Sequence, residues 1–163
     1  MAKEIERKFL LRDEGWRPLA VARIRLCQFY LAAGPRRTIR VRVSEGRQAT
    51  LTLKFAGSGR GRDEFEYPIP LAEAEEMRSF ALGRVIEKTR FHVQHEGYLY
   101  EVDEFEGQLK GLLIAELETP DMVSADALPP WLGREVTHDP RFYNAQLALG
   151  EPPDVQLLAR ASA

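Results

Sequence analysis

The chain has 163 residues, 44% of them hydrophobic and 29% charged, and its 23 basic and 25 acidic side chains leave a net charge of −2. That is the size of one ordinary domain with enough apolar residues for a core, and the near-balance of charge excludes the basic surface of a dedicated nucleic-acid binder. A lone cysteine, Cys27, excludes an intrachain disulfide and reads as packing filler within an apolar run. With no apolar leader and no 18-residue apolar stretch, the expectation is a soluble cytoplasmic protein without a membrane partner.

Alternating charged and apolar side chains predict a first strand over residues 3–11, in KEIERKFL. A connection around Gly15 and Pro18 leads to a second strand at 23–32, and Gly34-Pro35 turns it into the strictly alternating TIRVRVS at 38–44. Glu45-Gly46 leads on to 48–55, and the loop GSGRG at 57–61 leads to DEFEYPI at 63–69. Residues 71–82 change to helical spacing, through Leu71, Ala74, Met77 and Ala81, with Gly83 as the expected C-cap. Strands resume at 84–95, turn at Glu96-Gly97 into 98–106, and end at 112–119. After Pro120 the texture is loop, until Asp139 and Pro140 open a second helix that Gly150 closes. Eight strands with short turns and two short helices predict a mainly β (α+β) fold, an eight-stranded antiparallel β-barrel over 1–150. Residues 151–163 form a tail.

The charges are sorted by strand. Arg40 and Arg42 share one strand face, as do Lys88 and Arg90 with His92 beyond them; Lys54 adds a further cation. Glu4 and Glu6 share another face with Lys8, and Glu116 and Glu118 form a matching acidic pair. Like charges two apart lie about 7 Å from each other, and they repel unless something of opposite sign sits between them. An anion explains the basic pairs, and a hard divalent cation explains the glutamates. The opposite faces are apolar: Ile39, Val41 and Val43 on one strand, Leu51 and Leu53 on the next, Leu113, Ala115 and Leu117 on the last. If these form the core, the charged faces line a lumen. Any single pair fits a solvated sheet face, where cross-strand ion pairs are worth about 0.2–1 kcal/mol; the joint sorting favours a charged ligand.

These residues resemble the CYTH domain, the triphosphate tunnel metalloenzymes. Glu4-Ile5-Glu6-Arg7-Lys8 looks like that family's ExExK signature. The likeness continues in order through QFYL at 28–31, IRVR at 39–42, TLK at 52–54, RDEFE at 62–66 and EKTRF at 87–91. EVDEFEG at 101–107, AELE at 115–118 and EVTHDPRFYN at 135–144 complete it. The resemblance implies that the barrel is a tunnel holding a triphosphate with Mg²⁺ or Mn²⁺ as cofactor. By position, Lys8, Arg40, Arg42, Lys54, Arg62, Lys88 and Arg90 would hold phosphate oxygens. Glu4, Glu6, Asp103, Glu116 and Glu118 would be the metal ligands, with Glu64, Glu66 and Glu101 in support. Tyr30 matches a tunnel tyrosine that pairs with the ExExK lysine, which makes Lys8 and Tyr30 the candidate catalytic pair. Related chains carry a lysine where this one has Tyr143, and Arg141 is the candidate replacement as a phosphate contact.

The short bacterial members that this chain resembles imply a metal-dependent triphosphatase acting on tripolyphosphate. An adenylyl cyclase or a thiamine triphosphatase on the same scaffold is the nearest alternative. A polyphosphate- or nucleotide-binding module without turnover is an alternative of another class, and a β-rich structural domain is a third. Trp16 and Trp131 read as packing residues, and GSGRG lacks the following Lys-Ser/Thr and helix of a P-loop. A homodimer is compatible with exposed barrel faces and the tail.

Overall fold

The computed structural model describes residues 5–56, 62–155 and 158. Nine strands form one sheet: β1 Ile5–Leu11, β2 Ala20–Ala33, β3 Arg37–Ser44, β4 Gln48–Ala56, β5 Arg62–Ile69, β6 Leu82–His95, β7 Tyr98–Phe105, β8 Leu113–Thr119 and β9 Leu132–Glu135. Among the described residues, two short α-helices accompany them, α1 Leu71–Met77 and α2 Asn144–Leu149. The strand order is β5-β4-β3-β2-β6-β7-β8-β1-β9. The pairings β2–β3, β3–β4, β4–β5 and β7–β8, each between strands consecutive in the chain, are antiparallel, and so is the long-range pairing β1–β8.

Two expectations are corrected here. Among the described residues the strands number nine, because Leu132–Glu135 pairs with β1 across a register shift between Phe9 and Leu11. The sheet also does not close: β5 and β9 end the order, and they are not paired among the described residues. The physical reason is local. β9 takes the edge of β1 that a closing strand would need. β5 carries Pro68 opposite Thr50, and a proline without an N–H belongs on an edge.

The chain packs as two compact units, one of residues 1–24, 89–142 and 152–163, the other of 25–88 and 143–151. In the first, the apolar faces of β1, β7 and β8 supply Phe9, Tyr100, Val102, Ala115 and Leu117 to a core. Trp16 meets Phe91 edge-on at 5.0 Å, and Trp131 meets Tyr100 at 5.6 Å, so both tryptophans pack as expected. Leu158 of the tail is buried in this unit.

In the second unit, Phe29, Val41, Val43 and Ala49 pack against Ala74 of α1, with Cys27 half-buried beside them. Burial pushes the Cys27 thiol pKa up, so it stays protonated and apolar in character. The first helix is shorter than its periodicity suggests and ends in a 3₁₀ turn, Arg78–Phe80. Gly83 is not its cap. It lies in β6 at φ +65°, under the carbonyl of Ala148 from α2, and an added Cβ there would come well inside van der Waals contact distance of that oxygen. Gly83→Ala should therefore lower stability by about 1–3 kcal/mol, read from urea unfolding. The second helix is likewise delayed. Asp139 and Pro140 open a 3₁₀ turn, Pro140–Phe142, and α2 follows from Asn144.

Candidate active site

In the first unit the face opposite the aromatic core is charged. Antiparallel register sets Lys8 opposite Glu116, Glu6 opposite Glu118, and Glu101 opposite the same Glu116. Lys8 is 6% exposed. Its Nζ lies 3.6 Å from Glu6 Oε1 and 3.8 Å from Glu116 Oε1, and donates to the carbonyl of Phe142 at 3.4 Å.

Arg90 of β6 is held more tightly. Its Nε and Nη2 donate to the two Asp103 oxygens at 2.8 and 2.9 Å, and its Nη1 donates to Glu101 at 3.0 Å. Glu116 Oε2 stands 3.5 Å from Nη2. Asp103 is 1% exposed and Arg90 8%. Burial alone would lower the Arg90 pKa, but the Asp103 hydrogen bonds and the Asp103, Glu116 and Glu101 charges outweigh it and hold the value above normal. This pairing was not read from the sequence, which placed Arg90 on phosphate and Asp103 on metal. His92 joins the same face, 3.6 Å from Glu101.

The second unit carries a basic face opposite its own apolar core. Register aligns Tyr30 with Arg40, Gln28 with Arg42, Arg40 with Thr52, and Lys54 with Glu64. Arg40 is 7% exposed, Lys88 2% and Tyr30 5%. The Nε of Arg40 has no hydrogen-bond partner. A buried guanidinium N–H left unpaired is costly, and an anion is the kind of group that would satisfy it. Lys54 Nζ lies 3.6 Å from Glu64, and Glu66 accepts from Thr52 Oγ1 at 3.2 Å. Two fully buried polar residues of this face, Gln28 and Thr52, were missed in the sequence because neutral side chains in strands give no charge signal.

The remaining expected residues divide. Glu4 lies outside the described residues, and of Arg62 only the backbone, at the start of β5, is described. Arg141 has a 60% exposed side chain and is committed to Asp139, with Nη2 donating at 2.6 Å. That hydrogen bond holds the Asp139 carboxyl below its ordinary pKa and Arg141 above its own. Tyr143 is 37% exposed and precedes α2 as its N-cap residue.

The acidic face fits a hard divalent cation in donor chemistry, since its donors are carboxylate oxygens on neighbouring strands. Among the described residues, no three metal-ligating groups converge on one point. Lys8 and Arg90 occupy the spaces between the carboxylates instead.

Comparison with known proteins identifies the family of the chain. The CYTH domain model matches residues 2–143. An inorganic triphosphatase from Acetivibrio thermocellus is 42% identical, over 90% of this chain and 94% of its own length. One from Nitrosomonas europaea is 38% identical, over 91% of this chain and 99% of its own. The crystal structure of an inorganic triphosphatase superposes with a TM-score of 0.68 at 34% identity, covering 94% of this chain and 99% of that one. The ordered motifs from ExExK to RFYN, the sorted strand faces and these matches agree, and the chain belongs to the CYTH domain family.

Proposed function

We propose that this protein hydrolyses a small triphosphate, inorganic tripolyphosphate before ATP or thiamine triphosphate, with the help of a divalent metal ion. The observation that carries the reading is the buried Arg40, whose unpartnered Nε waits for an anion in a chain so similar to two inorganic triphosphatases. A water oxygen forms a new bond to the terminal phosphorus, the bridging P–O bond breaks, pyrophosphate leaves, and the water's proton passes to the surroundings.

Such a transfer needs positioning and charge neutralisation more than covalent help. Arg40 and Arg42 suit bidentate contact with phosphate oxygens, whereas Lys54, Lys88 and Lys8 act as point charges. Glu4, Glu6, Glu116 and Glu118 are the residues that would hold the metal, Mg²⁺ or Mn²⁺. When bound, the metal supplies neutralisation of phosphate charge and lowers the pKa of water. Asp103 supports them by fixing Arg90 through both oxygens, with Glu101 on the third nitrogen. Glu64 orients Lys54, and Glu66 orients Thr52. Lys8 and Tyr30 are the candidates for proton handling, and Arg141 for a peripheral phosphate contact once it leaves Asp139. A homodimer remains part of the proposal, tested by light scattering.

The test is phosphate release from tripolyphosphate, ATP and thiamine triphosphate in parallel, with Mg²⁺ or Mn²⁺, and cyclic AMP measured in the ATP reaction. Tripolyphosphate should turn over fastest. EDTA should abolish the reaction, and excess Mg²⁺ or Mn²⁺ should restore it. Turnover that persists after chelation would exclude the metal, and cyclic AMP without phosphate release would make the protein a cyclase.

A further inference from the structure

Gln28 is fully buried on β2, opposite Arg42 of β3. Its Oε1 accepts from Arg42 Nε and Nη2, both at 3.3 Å. Arginine has donors and no acceptor, so the amide oxygen must face Arg42 and the NH₂ must face away. That NH₂ nitrogen, Nε2, is buried and has no hydrogen-bond partner. Two residues along each strand lies the Tyr30–Arg40 pair, on the same sheet face, where Arg40 Nε is likewise buried and unpartnered. Two buried donors without acceptors therefore sit on one face, one cationic and one neutral. A folded protein keeps such groups where something else supplies the acceptor.

We propose that Gln28 is a substrate-binding residue: it aims Arg42 through Oε1 and donates from Nε2 to a phosphate oxygen of the same anion that Arg40 Nε contacts. The proposal rests on the triphosphatase reading and adds a neutral contact to its cationic ones. Tripolyphosphate offers many acceptor oxygens, so a neutral donor can be satisfied without adding charge. A buried cation in its place would stand against Arg42 and repel it.

Two substitutions separate this role from packing and from the aiming of Arg42. Gln28→Met keeps the volume and removes both hydrogen bonds. Gln28→Glu keeps an oxygen on Arg42 but turns a second oxygen, rather than an N–H, toward the anion. Two readouts apply: the tripolyphosphate-induced rise in melting temperature with EDTA present, which needs no turnover, and KM against kcat with metal. Gln28→Met should raise KM roughly 10- to 100-fold, the scale of a lost hydrogen bond to a charged group, with a smaller change in kcat. Gln28→Glu should do worse than Gln28→Met and should lose the tripolyphosphate-induced stabilisation. If Gln28→Glu matches wild type in both readouts, Gln28 only aims Arg42 and the proposal falls. If both variants melt lower without ligand yet keep the wild-type KM, the residue is packing and the proposal falls. A wild-type protein that neither turns over tripolyphosphate nor is stabilised by it would overturn the triphosphatase reading itself, and this proposal with it.

Discussion

Asp103→Ala should lower the unfolding free energy by about 3–5 kcal/mol, the range for removing one partner of a buried ion pair. Asp103 is 1% exposed and meets Arg90 through both oxygens. Without it the guanidinium stays buried, charged and short of two acceptors, and Glu101 and Glu116 replace only part of the loss. Arg90 cannot escape by losing its proton. Its folded pKa is raised, so its contribution is fully present below the ordinary arginine value and fades only at pH above that. The arginine end of the pair therefore stays charged throughout the neutral range in which unfolding is measured. Asp103→Asn keeps one acceptor and should fall between wild type and Asp103→Ala. Urea unfolding followed by circular dichroism checks all three; a loss below about 1 kcal/mol in Asp103→Ala, the worth of an exposed pair, would show that Arg90 is solvated.

The opposite signature is expected at Arg40. Arg40→Met should leave stability unchanged or raise it by about 1 kcal/mol, because it removes a buried donor that nothing satisfies. The same change should lower kcat/KM on tripolyphosphate on the order of 10²–10³-fold, the usual effect of deleting a preorganised donor from a site of developing charge. Arg40 and Asp103 are both charged and both buried, yet Asp103 is paired through both oxygens while Arg40 keeps an unpartnered Nε. Melting temperature and kcat/KM measured together separate the two roles. A stable, fully active Arg40→Met would remove the basic face from catalysis, and an unstable one would mean that the guanidinium is satisfied by water or protein in solution.

The strands were legible because alternation in TIRVRVS, DEFEYPI and RVIEKTRFHVQH reflects sheets with one apolar and one charged face. Both cores lie on the faces expected to be apolar. β9 was not legible. Four residues containing Gly133 carry no period, and their strand form comes from pairing with β1 across a bulge. The Gly83 cap failed for a related reason, whereas Gly150 does close α2: Gly83 answers to the close approach of Ala148, a contact distant in sequence. The site was legible in its charges and not in its pairings. Reading each strand by itself sorted the signs, and the hairpin at Glu96-Gly97 was recognised without its register being carried back along the two arms. A two-residue turn there sets His95 opposite Tyr98, and five steps back along each arm set Arg90 opposite Asp103. The ion pair was thus implicit in the turn. Gln28 offered no such route, since its meaning depends on an unpaired nitrogen that only packing reveals.

The edge strand β5 has a consequence for how the protein behaves at high concentration. A second copy laid against Arg62–Ile69 in two-fold antiparallel fashion about Phe65 would set Glu64 against Glu66 twice over. It would also meet Pro68, which lacks an N–H for the ladder. Mutual repulsion and an incomplete ladder make this edge a poor seed for sheet-to-sheet growth. Crowded solutions of the folded protein should therefore resist the fibrous, strand-added aggregation to which an open sheet is otherwise prone.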